Sequence, residues 1–187
     1  MKSRAQRRSR TQERRVAADV GGKVQAGSGN AWSAKGDVRK MGQLRVEAKY
    51  TERPRYILKL KDVLKIRSEA LQALETWVMQ LEHVHGPYSK KYAICDFGLF
   101  QEMHYDYQKQ LHALEQREPV IQDFWTPHLT FTLDLQALNY FLAEALTMKG
   151  VGVYRIAFSQ YRSSPVQTLA AIFQWDHFLT INEALKS

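Results

Sequence analysis

The chain has 187 residues and carries 27 Lys and Arg against 19 Asp and Glu, a formal charge of +8, and this length suits one domain or one domain with a large insertion. With 44% hydrophobic and 11% aromatic residues it has ample material for a buried core, which excludes a wholly disordered basic protein. No apolar run approaches the roughly 18 residues of a membrane-spanning helix, the basic start leads into polar sequence in place of a signal peptide's apolar stretch, and the single cysteine, Cys95, leaves no intrachain disulfide. A reducing, cytoplasmic setting without membrane contact is expected.

The charge is uneven. Residues 1–67 hold 19 basic and six acidic residues, net +13, whereas residues 68–187 hold eight basic and 13 acidic ones, net −5. A basic front third on an acidic remainder points to a face that binds a polyanion, nucleic acid above all.

In chain order, residues 1–10 read as a flexible basic arm, laid along phosphates or merely solubilising. From Thr11, a candidate cap, Val16, Ala17 and Val20 form a short apolar stripe that Gly21-Gly22 would end, which predicts a helix. Lys23 to Ala26 suggests a short strand, Gly27-Ser28-Gly29-Asn30 a loop, and residues 36–39 and 43–50 two strands joined at Lys40-Met41-Gly42. On the second of these Leu44, Val46 and Ala48 face one way and Arg45, Glu47 and Lys49 the other. Leu60, Val63, Leu64, Leu71, Leu74, Trp77, Val78 and Leu81 recur at helical spacing and predict one long amphipathic helix ending before Gly86-Pro87. Tyr92 to Cys95 reads as a buried strand. Helices are expected around Tyr105–Leu114 and Leu135–Leu146, strands over Val151–Phe158 and Thr168–Phe173, and a closing helix or turn over Phe178–Leu185. No internal repeat is apparent in the sequence.

The chemistry concentrates on Asp37 and on Glu47-Ala48-Lys49, ten residues later on an adjoining strand. Glu47 and Lys49 share a strand face, so a carboxylate and an ammonium can converge on one point. Asp37 and Glu47 offer the oxygen ligands that Mg²⁺ takes together with water. A metal there could polarise a scissile phosphate and acidify a water, while Lys49 meets developing negative charge. Alternating charge is also common on the solvent face of antiparallel strands. Three neighbours favour chemistry: Glu13 as a third carboxylate on the preceding helix, Gly27-Ser28-Gly29 as a source of N–H groups and a hydroxyl for phosphate, and strongly basic surroundings.

The succession of a helix with Glu13, the Gly27-Ser28-Gly29-Asn30 loop, Gly36-Asp37-Val38-Arg39, Val46-Glu47-Ala48-Lys49-Tyr50-Thr51, then a helix and a strand, resembles the PD-(D/E)xK nuclease superfamily, and within it the archaeal-type and phage Holliday-junction resolvases. The resemblance covers residues 11–98, and residues 166–187 would supply the family's final strand and closing segment; residues 99–165 would be a largely helical insertion. It implies an α/β, restriction-endonuclease-like mixed central sheet flanked by helices, a homodimer, and Mg²⁺-dependent cleavage of four-way or other branched DNA, with Mn²⁺ as a substitute. It further implies Glu13, Asp37 and Glu47 as metal ligands, Lys49 as catalytic lysine and Ser28 as a catalytic loop serine. Gly36 stands where the motif has proline. The setting would be the cytoplasm, a host's if the gene is phage-borne. The alternatives are another restriction, repair or recombination nuclease of this superfamily, and a non-catalytic DNA-binding protein on the same fold.

Other features carry less. His83 and His85, two apart on an expected helix, would face away from one another. No mononucleotide-binding glycine loop is present. Cys95 reads as an inert core residue, and Trp77 and Trp175 as packing against a sheet, whereas Trp32 either packs or meets nucleic acid. Arg39, Lys40, Arg45, Arg53, Arg55 and Lys59, continuing through Lys61, Lys65 and Arg67, are too uniform in sign for ordinary surface mixing and are expected to hold phosphates. Such contacts position a duplex without reading bases.

Overall fold

A computed structural model describes residues 4–25, 37–112, 115–158 and 168–184. In chain order the elements are α1 (Arg4–Val20), β1 (Lys23–Val24), β2 (Val38–Lys40), β3 (Leu44–Thr51), β4 (Arg55–Lys59), α2 (Leu60–Leu71), β5 (Thr76–His85) and β6 (Tyr88–Asp96). There follow α3 (Phe97–Gln110), β7 (Pro119–Thr126), β8 (Thr130–Asp134), α4 (Leu135–Thr147), β9 (Val151–Phe158), β10 (Thr168–Gln174) and α5 (Trp175–Ala184). They divide into two units, Met1–Glu52 with Lys61–Lys90, and Arg53–Leu60 with Lys91–Ser187. Each unit has a mixed sheet with helices packed on it, the α/β class expected. Among the described residues no helix is long and apolar enough to cross a membrane.

In the first unit the strands run β1-β2-β3-β5, antiparallel until β5, which lies parallel to β3 with Leu44 opposite Thr76. α1 packs on β1, β2 and β3 through Gln12, Val16 and Val20, buried at helical spacing. The basic segment expected to be a flexible arm is helical from Arg4. Arginine is a good helix former, and Thr11, expected to cap, lies inside the helix with its hydroxyl donating to the Arg7 carbonyl at 3.0 Å. Gly21, at φ +65°, stops the helix.

The long helix expected over Leu60–Leu81 is a helix and then a strand. α2 ends at Leu71 in a Schellman turn: Glu75 N–H donates to Ala70 O at 2.9 Å, Leu74 N–H to Leu71 O at 3.2 Å, and Leu74 takes φ +54°. Trp77, Val78 and Leu81 belong to β5, which is buried on both faces from Trp77 to His83. A strand buried on both sides lacks the alternation that separates strand from helix, so its apolar residues matched a helical stripe by coincidence.

In the second unit the order is β6-β10-β9-β7, with β7 parallel to β9, and β4 pairs with β8 in a separate two-stranded sheet. The helix expected over Leu135–Leu146 and the strands expected over Val151–Phe158 and Thr168–Phe173 are present as α4, β9 and β10, the first and last each one residue longer, and α5 starts three residues early, at Trp175. Residues 99–158 contain β7, β8 and β9 besides helix, and β9 pairs with β10 from Thr168 onward. The segment expected to be a largely helical insertion is thus continuous with the sheet that holds the final strand.

The structure also reveals a repeat that the sequence hides. Residues 44–110 and 119–184 each follow the course strand, strand, helix, strand, strand, helix. Up to the fourth strand the two courses are offset by 75 residues: Leu44 pairs with Thr76 as Pro119 pairs with Val151. The Schellman turn recurs, with Lys149 at φ +57° in the place of Leu74 and Gly150 N–H on Ala145 O at 2.8 Å. The Thr76 N–H to Gln43 O bond, 2.9 Å, has its counterpart from Val151 to Glu118, 3.0 Å. Thr51/Thr126, Leu58/Leu133, Leu60/Leu135, Ala70/Ala145 and Val78/Val153 are identical and buried in both copies.

Candidate active site

Asp37 immediately precedes β2, where its N–H donates to Val46 O at 3.1 Å and its carbonyl accepts from Gln25 N–H at 3.0 Å. Asp37 Oδ2 accepts from the backbone N–H of Ala48 at 2.8 Å, which fixes the carboxylate against the middle of β3. On either side of Ala48, Glu47 and Lys49 share a face as expected, and Lys49 Nζ donates to Glu47 Oε1 at 2.8 Å. Both side chains are partly open to solvent, 19% for Glu47 and 30% for Lys49. The strand therefore aims its polar pair where a ligand can reach it.

The Asp37 carboxyl is raised from 3.8 to about 6. Burial is the main cause; the Glu47 carboxylate adds repulsion, the Ala48 bond pulls the other way, and the charges of Glu13 and Lys49 act more weakly. Asp37 thus feels carboxylates on α1 and β3 and the ammonium of Lys49. Glu13 is held by Ser9, whose hydroxyl donates to Oε1 at 2.9 Å.

Gln12, next to Glu13, belongs to no motif in the sequence. It is 2% exposed, and its Nε2 donates both to Lys49 O at 2.8 Å and to Gln80 Oε1 on β5 at 2.6 Å. This clamp ties the helix that carries Glu13 to the strand that carries Lys49. The available signal was a polar residue in register with the apolar Val16 and Val20.

The basic residues expected to meet phosphate separate into two sets. Arg45 is buried, its guanidinium 3.2 Å from Glu75 and 3.5 Å from Glu69. Arg39 Nε lies 2.6 Å from the other Glu75 oxygen, with only 14% of its side chain exposed. Both serve the interior, and this corrects their assignment to DNA. Lys40 is partly exposed at the end of β2, and Lys61 and Lys65 are exposed on α2. Arg53, Arg55 and Lys59 are exposed as well, at and on β4, in the second unit. Ser28, with the whole of Gly27–Asn30 and Trp32, lies outside the described residues.

His83 and His85 lie on a strand, not a helix, and so share a face with their rings 6.5 Å apart. Among the described residues no three His, Cys, Asp or Glu side chains are gathered closely enough to cage a metal ion. Glu13, Asp37 and Glu47 are therefore not gathered into the three-ligand set expected; an ion such as Mg²⁺ needs only one or two carboxylates, with waters and substrate oxygens completing its shell. Asp37 and Glu47 could each offer a carboxylate oxygen to such an ion, with Glu13 contributing charge. Cys95 is wholly buried and its thiol is pushed up by burial, which fits an inert core residue. Comparison of the chain with family models, with curated proteins and with solved structures finds no match.

Proposed function

We propose that the protein is a Mg²⁺-dependent endodeoxyribonuclease selective for branched DNA, of the Holliday-junction resolvase type, acting in the cytoplasm. The observation that carries this reading is the convergence of Asp37, Glu47 and Lys49 across two hydrogen-bonded strands, with the Glu13 charge acting on the same carboxylate. The order of α1, three antiparallel strands, α2 and a strand parallel to the third supports the PD-(D/E)xK resemblance.

Bound Mg²⁺ would supply Lewis acidity to a scissile phosphate and make a water easier to deprotonate. The chain's own part is arrangement. The Ala48 N–H holds Asp37 in place, Glu47 steadies Lys49 by their shared bond, and the Lys49 ammonium stands ready for the negative charge that grows on phosphate during attack. The Glu47 and Glu13 charges, which add to burial in raising the Asp37 carboxyl, would be offset by a divalent cation held at this point.

The test is cleavage of an immobile four-way junction and of a linear duplex of the same sequence, with Mg²⁺. The junction should be cut much faster, and Asp37→Asn and Glu47→Gln should bind it without cutting. Equal cutting of both substrates would remove the junction assignment, and no metal-dependent cutting at all would leave a non-catalytic DNA-binding protein.

A further inference from the structure

We infer that the second repeat takes the place of a partner subunit, so that one chain is a pseudo-dimer with one cutting site and, departing from the two-site homodimer that the resolvase resemblance implies, makes a single nick in each encounter with its DNA. The single nick rests on the nuclease reading above; the internal partner does not.

The warrant is the way equivalent residues meet. β4 and β8 pair antiparallel about Ile57 and Thr132, which are themselves equivalent at the 75-residue offset. β6 and β10 pair antiparallel about Ile94 and Ile172, 78 residues apart, where Ala93-Ile94 and Ala171-Ile172 align between the copies. Leu60 N–H donates to Leu129 O at 2.8 Å and Leu135 N–H donates to Pro54 O at 3.0 Å, a reciprocal pair in which each residue's counterpart repeats the contact in reverse. Reciprocity of this kind is the signature of a two-fold, self-complementary interface. All these contacts lie within the second unit. They occupy the strands through which two separate copies of the repeat would have paired.

The partner so supplied has no cutting machinery. Gln122 stands at the place of Glu47 and Phe124 at that of Lys49. Glu13 and Asp37 come from the segment before the first repeat, which has no counterpart, and among the described residues β7 has no strand on its outer side. The cations of β4 and α2 have no basic counterpart: His128, Thr130, Asp134, Gln136 and Tyr140 replace Arg53, Arg55, Lys59, Lys61 and Lys65. The second copy retains the buried residues and the pairing strands and has lost what would hold or hydrolyse a phosphodiester.

A supercoiled plasmid that extrudes a cruciform separates one cut from two, because a single nick gives open circles and paired cuts within one complex give linear DNA. With Mg²⁺ and limiting protein, open circles should form first, and linear DNA only later, by rebinding. Sedimentation of the intact chain on a four-way junction in Ca²⁺ should show one chain per junction at the concentration that saturates binding. Linear product rising together with open circles, or two chains per junction, would overturn the inference. If Mg²⁺ gives no cutting, the nuclease reading and the single nick fall together, while the stoichiometry still decides the internal partner: one chain upholds it and two refute it.

Discussion

Asp37 is where folding and the proposed chemistry pull apart. A carboxyl raised on folding holds its proton more tightly in the folded chain than in the unfolded one. Its contribution to stability is therefore complete below the ordinary value of 3.8 and is lost as the pH climbs through about 6. The loss is worth up to about 3 kcal/mol. Metal-free protein should weaken over this window in urea denaturation, and Asp37→Asn should recover about 1–3 kcal/mol near neutral pH while abolishing cleavage, since asparagine still accepts from Ala48 N–H. Because the proton competes with the cation, Mg²⁺ affinity measured calorimetrically should fall about tenfold for each pH unit below about 6. A flat affinity over that range would remove Asp37 from the metal site. Glu47 and Lys49 were legible in the sequence because a period of two fixes which residues share a face. Arg45 shares that period and lies in the interior, since the period says nothing about which end of a strand is covered.

At the scale of elements, Arg45 is the tie between β3 and the α2–β5 turn. Arg45→Met leaves Glu75 and Glu69 without this partner in the interior and should cost about 3–5 kcal/mol in denaturant unfolding. Among molecules that remain folded, the salt dependence of DNA binding should be unchanged; a shallower dependence would return Arg45 to the phosphate-binding set. The two Schellman turns give a test in the opposite direction. Leu74 and Lys149 adopt a left-handed conformation that glycine takes without strain, and Leu74 is 90% exposed. Leu74→Gly should therefore stabilise the protein by roughly 1 kcal/mol, read as a higher urea midpoint with unchanged slope. The sequence showed α1, α4, β9 and β10 because each carries its own periodicity or turn signals. It did not show the break between α2 and β5, where a non-glycine residue makes the left-handed turn and the following strand is buried on both faces.

For the whole molecule, the charge imbalance acquires a narrower meaning. Of the basic residues in the front third, Arg39 and Arg45 neutralise buried glutamates, while Arg53, Arg55, Lys59, Lys61 and Lys65 are exposed. Replacing Arg55 or Lys59 with Ala should lower the slope of log affinity against log salt by about one each, equally for branched and linear DNA. An unchanged slope would exclude that residue from phosphate contact. By itself the sequence determined the segregation of charge and the pairing of Asp37 with Glu47-Ala48-Lys49, because composition and strand period are local properties, while the α/β class came from the resemblance its motifs carry. Only the tertiary structure decided which arginines are interior, that Gln12 clamps α1 to the site, and that residues 119–158 belong to a second copy of the first repeat. Partners far apart in sequence make those contacts, and the copies keep in common chiefly a few buried positions, which too many other sequences would satisfy for the repeat to be read without the strand registers.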